Sequence, residues 1–191
     1  MKKLFILFLG IFSAFCLNSV RAADVEFATA HLRNSMDQRV GSVLFNQTPE
    51  GLDITVDIVD LPAGEHSLHI HENGSCVPPD FTSAGGHFNP YGTQHGFLNP
   101  EGPHAGDLPN ITVEKNGEAD VTITTKRLTL ESGKPHSLLP FGTKSVVIHR
   151  LPDDYITDPA GQGGERIACG VIDVPETLTG QGLAEKGEAE Y

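Results

Sequence analysis

Between Leu52 and Ile58 the chain alternates: Leu52, Ile54, Val56 and Ile58 are interleaved with Asp53, Thr55 and Asp57. A period of two puts successive side chains on opposite faces, so this segment predicts a half-buried β-strand. Similar short runs occur at Asp24–Leu32, Arg39–Asn46, Glu65–His71, Asn110–Glu114, Glu118–Thr124, Ser145–Arg150 and Arg166–Asp173. Turn residues separate them. Thr48-Pro49-Glu50-Gly51 bends the chain, and Asn116-Gly117 tolerates the positive φ that tight hairpins need. No long segment has a helical period. About eight short strands joined by turns predict an all-β sandwich or barrel.

Two stretches break this rhythm. Residues 72–109 are rich in Gly, Pro, His and Asn, and residues 151–165 combine Asp153, Asp154 and Asp158 with Gly161-Gln162-Gly163-Gly164. Loops this long inside a compact domain are usually functional or disordered. Residues 174–191 are polar and acidic and predict a mobile tail. At the other end, Lys2 and Lys3 precede an apolar run from Leu4 to Cys16. Such a run, as a helix, spans only about 20 Å, short of the roughly 30 Å of a bilayer core. It predicts a secretory leader over residues 1–22, cut after Ala22, with the domain proper at 23–173. Phe15 before Cys16 disfavours a lipobox.

The leader changes the charge. The whole chain has 13 Lys and Arg against 25 Asp and Glu, a net charge of −12. Removal of Lys2, Lys3 and Arg21, with no acid lost, takes this to −15. Such an acidic chain lacks the basic patch that nucleic acid requires, and it is poorly matched to an anionic membrane surface. Of three cysteines, Cys76 and Cys169 remain, which in an exported protein most simply form one disulfide.

Nine histidines stand out in a chain without Trp. His69 and His71, two apart on a strand, share a face, and His149 ends another apolar strand. The long loop adds His87, His95, His104 and Asp107. Imidazole suits copper and zinc, and a carboxylate completes a zinc site. One such pair would more often be surface residues. Six histidines and Asp107 in this order point to metal.

These motifs resemble the copper/zinc superoxide dismutases. The resemblance rests on Gly64-Glu65-His66-Ser67-Leu68-His69-Ile70-His71, Ser83-Ala84-Gly85-Gly86-His87-Phe88-Asn89-Pro90, His95-Gly96, His104-Ala105-Gly106-Asp107-Leu108, Val147-Ile148-His149 and Arg166-Ile167-Ala168-Cys169-Gly170-Val171-Ile172. It covers roughly residues 24–173 and implies an eight-stranded Greek-key β-barrel. It implies copper on His69, His71, His87 and His149, zinc on His87, His95, His104 and Asp107, and His87 as the bridge between the two ions. Cys76 and Cys169 match the family's disulfide, and Arg166 matches the arginine beside the open copper position. Asp153 matches the outer aspartate that joins His69 to His95, with adjacent Asp154 as the alternative. The implied reaction converts two superoxide anions and two protons into O2 and H2O2, with His87 also passing a proton.

His31, His66 and His136 match no ligand. Asn46, Asn73 and Asn110 fit a glycosylation pattern that matters only in a eukaryotic secretory host. No Lys lies between Leu151 and Glu165, where relatives use lysines to attract the substrate. The leader and the resemblance to exported bacterial members predict a periplasmic protein, with an extracellular or lipid-anchored one less favoured. After leader removal no membrane contact is expected, and a homodimer is left open. A copper-delivery or metal-storage protein on the same barrel is the alternative. It would be expected to have lost a ligand or the arginine, whereas both are retained here. A zinc hydrolase would need a general base that is not evident.

Overall fold

The computed structural model describes residues 26–174. The leader and the tail beyond Val174 lie outside them. The strands are β1 (Phe27–Asn34), β2 (Arg39–Thr48), β3 (Gly51–Ile58), β4 (Gly64–His66), β5 (Leu68–His71), β6 (Ile111–Val113), β7 (Ala119–Thr125), β8 (Ser145–His149) and β9 (Arg166–Asp173). Among the described residues the helical content is a single 3-10 turn at Thr82–Ala84, and no helix is long and apolar enough to cross a membrane.

Seven strands form one antiparallel sheet in the order β5-β8-β9-β1-β2-β3-β7, and β4 pairs with β6. The sheet curls, so that alternate residues such as Leu32, Phe45, Ile54 and Ile148 meet in one core. Burial of that core is the main source of stability. The eight expected runs are all present. The run at 65–71 becomes two strands because it changes partner at Ser67: β4 pairs with β6, whereas β5 pairs with β8. The Ser67 N–H donates to Leu151 O at 2.9 Å, and the His149 N–H donates to Ser67 O at 3.0 Å. This corner joins the two sheets.

All residues of β5 and β8 are buried. Leu68 and Ile70 face the core, and the long loop covers the other face. The Phe88 N–H donates to Ile70 O at 2.8 Å, and the Ile70 N–H donates to Gly106 O at 2.9 Å. Position 106 must be glycine, because a Cβ there would overlap the Ile70 carbonyl oxygen. Cys76 and Cys169 are joined, 93 residues apart, and pin the loop to β9. In the chain-entropy account a closure of that length contributes on the order of 4–5 kcal/mol.

Candidate metal centre

Between the outer face of β5–β8 and the covering loop lies a layer of buried imidazoles. His69 Nδ1, His71 Nε2, His87 Nε2 and His149 Nε2 are buried without a hydrogen-bond partner. These four residues lie close enough together to hold one ion. Their opposite nitrogens are engaged. His71 Nδ1 faces Gly85 O at 3.0 Å, and His149 Nδ1 faces Gly164 O at 3.1 Å. A carbonyl only accepts, so both Nδ1 atoms carry the proton and both Nε2 atoms present a bare lone pair. His69 Nε2 lies 2.7 Å from Asp153 Oδ2, which by the same logic leaves its Nδ1 bare. Bare, buried lone pairs converging on one point are costly unless a cation accepts them.

A second group shares His87. Asp107 Oδ1 lies 2.9 Å from His87 Nδ1, 3.1 Å from His95 Nδ1 and 3.2 Å from His104 Nδ1. His104 Nδ1 is 3.4 Å from His87 Nδ1. Ligands about 2.0–2.1 Å from a tetrahedral zinc stand roughly 3.3 Å apart, so three nitrogens and a carboxylate oxygen at these spacings fit zinc. His69 also lies within reach of this group. Its Nε2, however, is taken by Asp153, and its Nδ1 belongs to the first group.

Two carboxylates organise the layer. Asp107 Oδ2 accepts the N–H groups of Gly96 and His104, each at 2.9 Å. Burial works against its charge, but the contacts from His104, His87, His95 and Gly96 win and hold it well below the usual carboxylate range. Asp153 reaches His95 Nε2 from Oδ1 at 2.9 Å, so it spans His69 and His95. Asp154 instead accepts the N–H groups of Ile156 and Thr157 at 3.0 and 2.8 Å and does not enter the layer.

Burial lowers His69 to about 3 and His149 to about 4, and it pushes His71 well below its ordinary value. Neutral imidazoles are the form that binds metal, so at neutral pH these rings are ready to ligate. For His95 burial acts in the same direction, but Asp107 and Asp153 together outweigh it and raise the group to about 9.

Arg166 opens β9. Its two terminal nitrogens donate to Phe81 O and Gly85 O, each at 2.7 Å. The Gly85 carbonyl also accepts from His71, so one loop oxygen links the arginine to the copper-type group. Two other supports escaped the sequence reading. His66 is buried between two carbonyls, with Nδ1 2.9 Å from His149 O and Nε2 2.8 Å from Pro62 O. Asn110 holds the backbone of Asp153 reciprocally, donating to its carbonyl at 3.0 Å and accepting its N–H at 2.8 Å. Asn110 is legible in the sequence only as the start of a strand run and a glycosylation signal, and His66 only as part of a family motif, at a position that matches no ligand. His31 lies exposed on β1, and His136 pairs with the Tyr91 hydroxyl at 2.6 Å, so neither is part of the layer.

The family model for copper/zinc superoxide dismutase matches residues 39–172. The chain belongs to the copper/zinc superoxide dismutase family. It is 49% identical over 146 residues to superoxide dismutase [Cu-Zn] 2 of Aquifex aeolicus, covering 76% of this chain and 85% of that one. A solved SOD-like protein from Bacillus subtilis superposes with a TM-score of 0.71 at 41% identity, covering 75% of this chain and 96% of the other. The Cu/Zn superoxide dismutase of Brucella abortus gives 0.64 at 32% identity, covering 78% and 100%. Copper and zinc are the metals of this dismutase family, and the two donor sets match them in kind: four imidazoles for one, three imidazoles and a carboxylate for the other. A disulfide of this kind suits an exported protein.

Proposed function

We propose that this chain dismutes superoxide, with His69, His71, His87 and His149 as copper ligands and His87, His95, His104 and Asp107 as zinc ligands. The observation that carries this reading is the set of four converging, unpartnered ring nitrogens beside Arg166. Copper there would supply one-electron exchange between two oxidation states, whereas zinc has no redox chemistry and would serve as a fixed charge. Arg166 is held by two carbonyls, so its charge is preorganised to receive a small anion. His87 Nε2, free of any protein acceptor, is the atom that would carry a proton to the reduced product. Asp107 fixes the other edge of that ring, and Asp153 keeps His69 and His95 aimed.

The acids of the 151–165 loop do not oppose an anionic substrate as freely as a bare charge count suggests. Asp153 and Asp154 are engaged as described, Asp158 accepts the His95 N–H at 2.7 Å, and Glu165 pairs with Arg150 at 2.7 Å. The expected leader over residues 1–22 supports a periplasmic site for this activity. The substrate needs no partner chain, and a homodimer remains compatible with the reading.

The deciding experiment loads the purified chain with copper and zinc and measures superoxide removal. Arg166→Ala is expected to lower the rate about 10–1,000-fold with both metals still bound, the range for loss of a preorganised charge or donor. Metal retention without superoxide removal in the parent protein would instead assign the barrel to copper storage or delivery. Loss of copper from Arg166→Ala would give Arg166 a structural role.

A further inference from the structure

We propose that Arg127 is a positioning residue for the zinc group, acting through Asp107 and the loop around Phe97. The inference rests on the zinc reading of His87, His95, His104 and Asp107. Arg127 follows β7. Its Nη2 donates to the Asp107 carbonyl at 3.2 Å, and its guanidinium carbon lies 4.7 Å from the centre of the Phe97 ring. Phe97 in turn packs on Tyr155, with ring centres 5.4 Å apart.

Both ends of this stack act on a carboxylate of the centre. On one side Arg127 holds the backbone of Asp107, and Gly96, next to Phe97, donates its N–H to Asp107 Oδ2 at 2.9 Å. On the other side the Tyr155 N–H donates to Asp153 Oδ1 at 2.6 Å, while its hydroxyl accepts the Asn110 N–H at 2.8 Å. Arg127 thus caps a path that runs Asp107–Arg127–Phe97–Tyr155–Asp153 and closes around His95.

A purely structural arginine would be expected to find an acid. Among the described residues no carboxylate oxygen forms an ion pair with Arg127, and its Nε is buried without a partner. The groups in direct contact with its guanidinium are a carbonyl and an aromatic face of the zinc-binding loop, and the charge of Asp107 itself acts against the cost of burial. Lysine cannot reproduce a flat guanidinium that covers a ring and donates sideways at once.

Charge and position make opposite predictions, which renders the proposal testable. A positive charge near a Zn2+ site repels the ion, so if Arg127 acts only as a charge, Arg127→Met tightens zinc. If it positions Asp107, Arg127→Met weakens zinc by about 10–100-fold, the range seen when an outer partner of a ligand is lost. Arg127→Lys, which keeps the charge, should then also bind zinc more weakly than the parent. Zinc affinity is read by competition with a chromophoric chelator on the disulfide-intact protein, and the visible spectrum of Co2+ placed in the zinc site reports its geometry. Equal or tighter zinc binding by both variants, with an unchanged Co2+ spectrum, overturns the inference, whatever happens to the melting temperature. If Met prevents folding, the Lys variant decides alone by the same criteria. A parent protein that takes up neither Zn2+ nor Co2+ overturns the zinc reading itself, and this inference with it.

Discussion

His149→Ala will abolish copper binding and, with it, superoxide removal. The ring supplies one of four converging nitrogens, and its removal leaves three, with the remaining rings still held by their own partners. The backbone of His149 should survive the change, because its N–H bonds Ser67 O and β8 is paired on both sides. The zinc-type group does not include His149 and should keep its metal. The expected result is therefore a folded protein with about one zinc and no tightly held copper, and a rate indistinguishable from buffer. Metal analysis after dialysis against a chelator, together with the superoxide assay, checks it. Copper retained at full stoichiometry, or undiminished activity, would sink the assignment of His149.

A second large effect is expected at a residue that binds nothing. Gly161 sits at φ +62, and a Cβ there would overlap Asp153 Oδ1 and come within 2.6 Å of His95 Nε2. Gly161→Ala must therefore push the Asp153 carboxylate off one or both of its histidines, besides adding backbone strain of about 1–3 kcal/mol. Because Asp153 orients a ring of each group, both metals should bind about 10–100-fold more weakly, in contrast to the copper-selective loss at His149. Titrations with each metal separately would show this double defect. Parental affinity for both would mean that the bridge has no role in holding the rings. Gln162→Ala, at the neighbouring exposed position, is the control for a loosened loop: it removes the side-chain bonds to Asp154 and Thr157 without placing an atom against Asp153.

Much of this arrangement was legible in the chain. Alternation located every strand run, because a half-buried sheet imposes period two directly on side chains. The pair His69 and His71 announced its shared face for the same reason. The histidines and Asp107 of the long loop drew attention through chemistry, and the resemblance to dismutases supplied their grouping; the fold brings all seven together. What sequence could not give is whatever depends on the path of a loop. Asp153 and Asp154 are adjacent acids, and only the turn around Tyr155, at φ +63, determines which one enters the layer. The break at Ser67 depends on which strand lies opposite. Asn110, His66 and Arg127 act through backbone atoms of other residues, and such contacts leave no spacing to read.

The pairing of β5 with β8 has a consequence for when, rather than how, the site comes into being. Three copper-type nitrogens lie within the short stretch from His69 to His87, but the fourth is on β8, which must first be made and then be brought back across a long loop. Closing such loops is what slows β-rich chains relative to helical ones. A partly folded chain can therefore offer copper only a loose, three-cornered grip. Tight capture becomes a clock for the closing of the sheet, and in refolding it cannot run faster than β8 docks on β5.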